Sequence, residues 1–155
     1  MKKVLITLSI LFIATLQANA MTAGDAKAFF NNYVNKANTY SNEIGSMYAP
    51  NAVIIRQVIK PNGELVNVYT NTQTYIKQLK ISETIARTRN YKNYYSNIHV
   101  SKVNKGYKVS AIRQPSGDKD KLKMYQILKE DSNGKILIVE EMMQTRQQVF
   151  LKYAK

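Results

Sequence analysis

The sequence predicts an α+β fold in which one long N-terminal helix packs into the concave face of a strongly curved antiparallel sheet. Three observations carry that prediction. An apolar stripe at three- and four-residue spacing runs along Thr22–Tyr40. The stretch Ser41–Arg56, SNEIGSMYAPNAVIIR, then turns from helix into strand. Most of the chain beyond Arg56 reads as β-segments joined by short turns, the pattern of an antiparallel sheet.

The first helix, Thr22–Tyr40, opens on Thr22 and Asp25, which resemble a capping box with Asp in place of Glu. Ala26, Phe29, Phe30, Tyr33, Val34, Ala37 and Tyr40 form its stripe. A lone helix cannot bury such a stripe, so it needs a sheet to cover. Ile44, Met47 and Tyr48 continue helical spacing on a short segment. Pro50 is expected to stop it, because its ring disfavours helix at Ala49 and removes a backbone donor. Ala52–Val58 comes next as a strand rich in β-branched residues. Pro61-Asn62-Gly63 makes a turn, and Glu64–Thr70 returns with alternating apolar and polar residues.

Asn71–Ser82 reads as a second helix, with Tyr75, Ile76 and Leu79 on its apolar face. Glu83–Lys92 is a helical or irregular link carrying Arg87 and Arg89. Tyr94–Asn104 and Tyr107–Gln114 are strands around an Asn104-Lys105-Gly106 turn. Leu122–Glu130 and Lys135–Arg146 form a hairpin around Asp131-Ser132-Asn133-Gly134. Gln147–Lys155 is a tail whose Val149, Phe150, Leu151 and Tyr153 imply docking. No repeat, linker or low-complexity block interrupts the chain, so residues 21–155 read as a single domain.

Residues 1–20 read as a bacterial export signal. Lys2 and Lys3 form a charged start, and Val4–Leu16 is an apolar run too short to span a bilayer comfortably. Ala18-Asn19-Ala20 is a small-residue cleavage site. The expected location is the periplasm or the cell exterior. There is no cysteine, which excludes disulfides, a lipid-modified cysteine and thiolate metal sites. Of 23 basic residues, 21 remain after Lys2 and Lys3 are removed, against 10 acidic ones, a formal charge of +11. The charge has two readings: attraction to polyanions, and the plain composition of a chain rich in Lys, Asn, Ile and Tyr whose lysines are scattered rather than blocked. The expected partners are an anionic small molecule, an envelope polymer or another envelope protein. No nucleic-acid motif is present, and no stable membrane span is expected.

The segments FFNNYVNKANTY, GSMYAPNAVI, PNGELV and EDSNGKILIVEE, in this order and spacing, resemble the nuclear transport factor 2-like superfamily, with its cystatin-like cone. Ketosteroid isomerases, scytalone dehydratase and polyketide (SnoaL-like) cyclases share that resemblance. It covers most of Thr22–Gln144. It implies a half-open cone with a cavity at its mouth, and a possible homodimer through the open sheet face. It does not carry function, which varies within the superfamily.

The resemblance also allows a test of chemistry. It implies a tyrosine on the first helix that polarises a carbonyl, and Tyr33 falls there within one residue. It implies an aspartate base eight residues after the corner aromatic; counting from Tyr48, that position is Arg56. A guanidinium cannot accept a proton. The second oxyanion donor, an acid, would fall near Tyr125 or Gln126, and neither is one. The dehydratase pattern needs a histidine among acids, and the lone His99 sits between Ile98 and Val100, facing away from them. The adjacent Glu140 and Glu141 point to opposite sheet faces and cannot share a metal. No catalytic residue, metal or cofactor is therefore expected.

What remains is positive charge with tyrosine. Arg56 shares a strand phase with Ala52 and Ile54, and Arg113 shares one with Tyr107, Val109 and Ala111. An arginine buried there needs an anionic partner, either internal or on a ligand. The candidate ligand-binding residues are Tyr33, Arg56, Arg113, Tyr125 and Gln126. The leading reading is an exported domain that binds an anionic ligand in its cone without catalysis. An isomerase-, dehydratase- or cyclase-type enzyme and an envelope assembly module are the alternatives.

Overall fold

Thr22 caps the first helix, α1 (Ala23–Asn38): its hydroxyl accepts from the Asp25 backbone, and the Asp25 carboxylate accepts from Thr22 N–H. The computed structural model describes residues 20–154. The export signal expected over residues 1–20 lies almost wholly outside them. A 3₁₀ helix, Asn42–Met47, leads into β1 (Tyr48–Ile59), which pairs with β2 (Leu65–Asn71). Then come α2 (Thr72–Thr88) and four strands: β3 (Asn93–Val103), β4 (Gly106–Pro115), β5 (Leu122–Glu130) and β6 (Ile136–Thr145). A last 3₁₀ helix, Gln148–Tyr153, lies against β1 and β2. Among the described residues no helix is long and apolar enough to cross a membrane.

The strands form one sheet in the order β2-β1-β6-β5-β4-β3. Every neighbouring pair is antiparallel except β1 with β6, which run parallel. The expected sheet is therefore mostly, not wholly, antiparallel. A helix and four other strands lie between β1 and β6 in the chain, so nothing local forces those two strands into a hairpin.

Pro50 does not stop the short helix. That helix ends at Met47, and Pro50 lies inside β1, exposed to solvent. β2 pairs only from Val53 onward, and the β1–β6 register shifts between Tyr48 and Val53. No ladder bond is asked of its missing donor, which is how a strand tolerates proline. The link expected from Glu83 is helix as far as Thr88. Arg87 fastens it, donating to the Glu83 carboxylate and to the Tyr40 carbonyl at the end of α1.

The core lies between α1 and the inner sheet face. Ala26 and Phe30 are fully buried and Tyr33 nearly so. Phe30 meets Tyr95 of β3 edge to face, with ring centroids 5.4 Å apart. Ile54, Val109, Leu128 and Ile138 are fully buried aliphatic residues beneath. At the start of β4, Gly106 packs so closely on β5 that a Cβ would run into the Leu128 carbonyl.

Candidate functional site

The inner row of the sheet carries an acid. The strand registers place Ile54 opposite Glu141, and Glu141 opposite Gln126. Glu141 is completely buried. Its carboxylate accepts from the Tyr48 hydroxyl at 2.7 Å and from Gln126 Nε2 at 2.9 Å. Arg56 Nη1 stands 3.4 Å from the other carboxylate oxygen, and the guanidinium lies 4.9 Å over the Tyr75 ring. Of the partners open to Arg56 from the sequence, the internal one is present.

This cluster sets its own electrostatics. Burial lifts the Tyr33 and Tyr48 phenols well above their ordinary range, and the nearby Glu141 carboxylate adds to the shift. Burial also raises Tyr75, with Glu141 reinforcing and Arg56 opposing. Burial works against the Arg56 charge, but Tyr75 and Glu141 outweigh it and raise its pKa. The phenols stay neutral and the guanidinium stays charged, so none of them is a proton acceptor near neutral pH.

Above this floor a cavity of about 700 Å³ opens between the sheet, the end of α1, α2 and the C-terminal 3₁₀ helix. Six of its lining residues are cationic: Lys36, Arg56, Lys80, Arg89, Arg113 and Lys152. One is acidic, Glu83, and Arg87 already binds it at 2.7 Å. Tyr33, Tyr40, Tyr75, Tyr91, Tyr95 and Tyr153 line the same space.

Arg113 differs from Arg56. It is 7% exposed, yet no carboxylate lies within salt-bridge distance among the described residues. Nη1 donates to Asn93 Oδ1 at 2.9 Å and Nη2 to the Gln144 carbonyl at 2.7 Å. Nε has no partner among the described residues. Asn93 is itself held by Asn38 of α1, whose side chain bonds both its N–H and its carbonyl. The guanidinium is thus oriented by neutral acceptors, and its charge is unmatched.

The structure brings Tyr33, Arg56 and Arg113 together on the cavity wall. Gln126 lies behind them, fully buried against Glu141. Tyr125 does not belong with them. Strand alternation turns it to the outer sheet face, where its hydroxyl bonds Glu140 at 2.6 Å and Lys108 stacks on its ring. The signal was in the sequence: Gln126 shares its phase with Met124 and Leu128, so its neighbour must face the other way.

Glu141, Tyr48, Tyr75 and Tyr95 are site residues that sequence reasoning missed. Alternation from Ile136 and Ile138 would send Glu140 inward. Val139 is an extra residue: Leu128 pairs with Ile138, while Ile127 pairs with Glu140. This bulge reverses the phase and buries Glu141 instead. His99 is exposed. Among the described residues no three acidic, histidine or cysteine side chains gather as a metal site would require.

No family model matches the sequence, and no curated protein matches it. Solved structures do match. A nuclear transport factor 2-like protein of unknown function from Pseudomonas putida superposes with TM-score 0.62 at 8% identity, over 79% of this chain and 84% of its own. A putative ketosteroid isomerase from Shewanella frigidimarina gives 0.56 at 10% identity, over 79% and 94%. A yeast deubiquitinase–cofactor complex contains a chain at 0.58 and 19% identity, over 79% and 95%. At these identities the likeness is one of fold, and the fold of this chain is that of the nuclear transport factor 2-like superfamily.

Proposed function

We propose that the chain is a non-catalytic binding domain that holds an anionic small molecule in its cone, with Arg113 as the group that recognises the anion. The observation that carries this reading is the buried Arg113 guanidinium on the cavity wall, unmatched by any acid among the described residues. A desolvated guanidinium is costly without an anion, and its planar fork matches a carboxylate, phosphate or sulfate. The volume suits a drug-sized ligand. Arg56, whose charge Glu141 already answers, is a wall of the site rather than its anion hook.

The enzyme alternative is weaker. The position of the isomerase base is an arginine, and both oxygens of the buried acid are engaged. The neighbour described as a putative ketosteroid isomerase keeps that alternative in view. The proposed setting is the periplasm or the cell exterior, from the composition of residues 1–20; N-terminal sequencing of the exported protein should begin at Met21.

The binding experiment uses anilinonaphthalenesulfonate, an anionic aromatic probe whose fluorescence rises in apolar surroundings. Arg113→Gln should weaken its binding by about tenfold to a hundredfold, the loss expected for a charge-assisted hydrogen bond. Tyr125→Phe, on the outer face, should keep wild-type affinity. Equal affinity for Arg113→Gln and wild type would remove Arg113 from the role. Native mass spectrometry of protein from its own cells would then name the natural occupant.

A further inference from the structure

Lys77, Ile81, Ile85 and Arg89 follow one another every fourth position. On α2 and its C-cap residue Arg89 that spacing makes one continuous ridge. The two isoleucines are 77% and 57% exposed, and a cation stands at either end. Large aliphatic side chains on a helix normally face the core; here they face water. Ile85 and Arg89 also line the mouth of the cavity. Across that mouth, Val149 and Tyr153 of the C-terminal 3₁₀ helix are 57% and 56% exposed, with the Lys152 amine 4.9 Å from the Tyr153 ring. The rim is therefore apolar at its crest and cationic around it.

We propose that this rim is a docking face for an anionic lipid bilayer. The isoleucines, Val149 and Tyr153 enter the boundary between headgroups and acyl chains, and Lys77, Arg89 and Lys152 meet headgroup phosphates. Tyrosine suits that boundary because its ring is apolar and its hydroxyl is not. The charge selects the partner. The one acid at the mouth, Glu83, is tied to Arg87, so the face presented is positive. A second copy of the chain docking there would set cations against cations. A folded protein partner needs a continuous complementary surface, whereas these apolar groups stand on two elements on either side of an opening. A bilayer conforms to such a rim and brings the negative charge. The inference does not rest on Arg113: Ile85, Arg89, Val149, Lys152 and Tyr153 belong to the cavity lining as well as the rim, while Lys77 and Ile81 lie outside the cavity.

The chain has no tryptophan, so one placed on the rim is a clean reporter. Ile85→Trp should show a blue-shifted emission with phosphatidylglycerol vesicles and none with phosphatidylcholine vesicles. Tyr94→Trp, at a position 60% exposed on β3, should stay unshifted with both. In flotation with phosphatidylglycerol vesicles, Ile81→Ser with Ile85→Ser should bind about tenfold or more weakly than wild type, through lost apolar burial at unchanged charge. Unshifted Ile85→Trp emission would overturn the proposal, as would equal flotation of the serine variant and wild type. Sedimentation showing a dimer that the serine variant abolishes would assign the rim to a second copy and overturn it equally.

Discussion

Arg56 and Glu141 are 85 residues apart in the chain and 3.4 Å apart in the fold. Glu141 is fully buried, and the Arg56 side chain is 16% exposed. The pair replaces the water each charge left behind, with Tyr48 and Gln126 satisfying the rest of the carboxylate. Removing one member leaves the other charged and stranded. Glu141→Leu and Arg56→Met should each cost about 3–5 kcal/mol of stability in urea denaturation. The double variant should cost less than either single, because hydrophobic replacement of a whole buried pair is often neutral. A double variant as unstable as the two losses added would mean the residues do not interact.

The phenols around Glu141 set an alkaline limit. Tyr33, Tyr48 and Tyr75 have folded pKa values above the ordinary 10.0, first through burial and then through the carboxylate. Above pH 10 the unfolded chain loses these protons while the native state keeps them. The unfolded state then binds fewer protons, so stability falls as pH rises. It is intact below the unfolded pKa. Denaturation midpoints should be flat through mildly alkaline pH and drop beyond about 10. Tyr33→Phe should soften that drop. An unchanged slope in Tyr33→Phe would separate this phenol from the effect.

Phe30 joins α1 to β3 through its edge contact with Tyr95 and has no exposed surface. Phe30→Ala should cost about 3–5 kcal/mol, the range for large aromatic truncations in a core. Thermal melting would measure it. Because the cavity lies beyond Tyr33, the probe affinity of the folded variant should change less than in Arg113→Gln.

The fold was legible because its signals are local. The Ala26–Tyr33 stripe, the Thr22 cap, the hairpin turns and the β-branched strand after the corner all act within a few residues. The inward phase of Arg56 follows from Ala52 and Ile54 on the same strand. The Arg56–Glu141 pairing is not local. It depends on β1 lying beside β6, and on the extra residue Val139 that turns Glu141 inward. Alternation read without that bulge points to Glu140. Nor does sequence show that Arg113 would be buried without an acid, since its neighbours Asn93 and Gln144 come from other strands. The two arginines look alike in the sequence; the company each one keeps is a property of sheet order.

That sheet order also governs when the domain can be completed. β1 lies between β2, which comes directly after it, and β6, the last strand of the sheet. The β1–β2 hairpin can form as soon as Asn71 is synthesised. The free edge of β1 then waits until β6, the last strand, is made before a neighbour pairs with it. Such distant pairings slow folding, because a long loop must close before any contact repays it. Until β6 arrives, Arg56 has no carboxylate and the edge of β1 is open to other strands. A chain cut before Ile136 would lack that neighbour altogether. It should aggregate rather than settle into a smaller fold, because β6 is the strand that joins the β1–β2 hairpin to β5, β4 and β3.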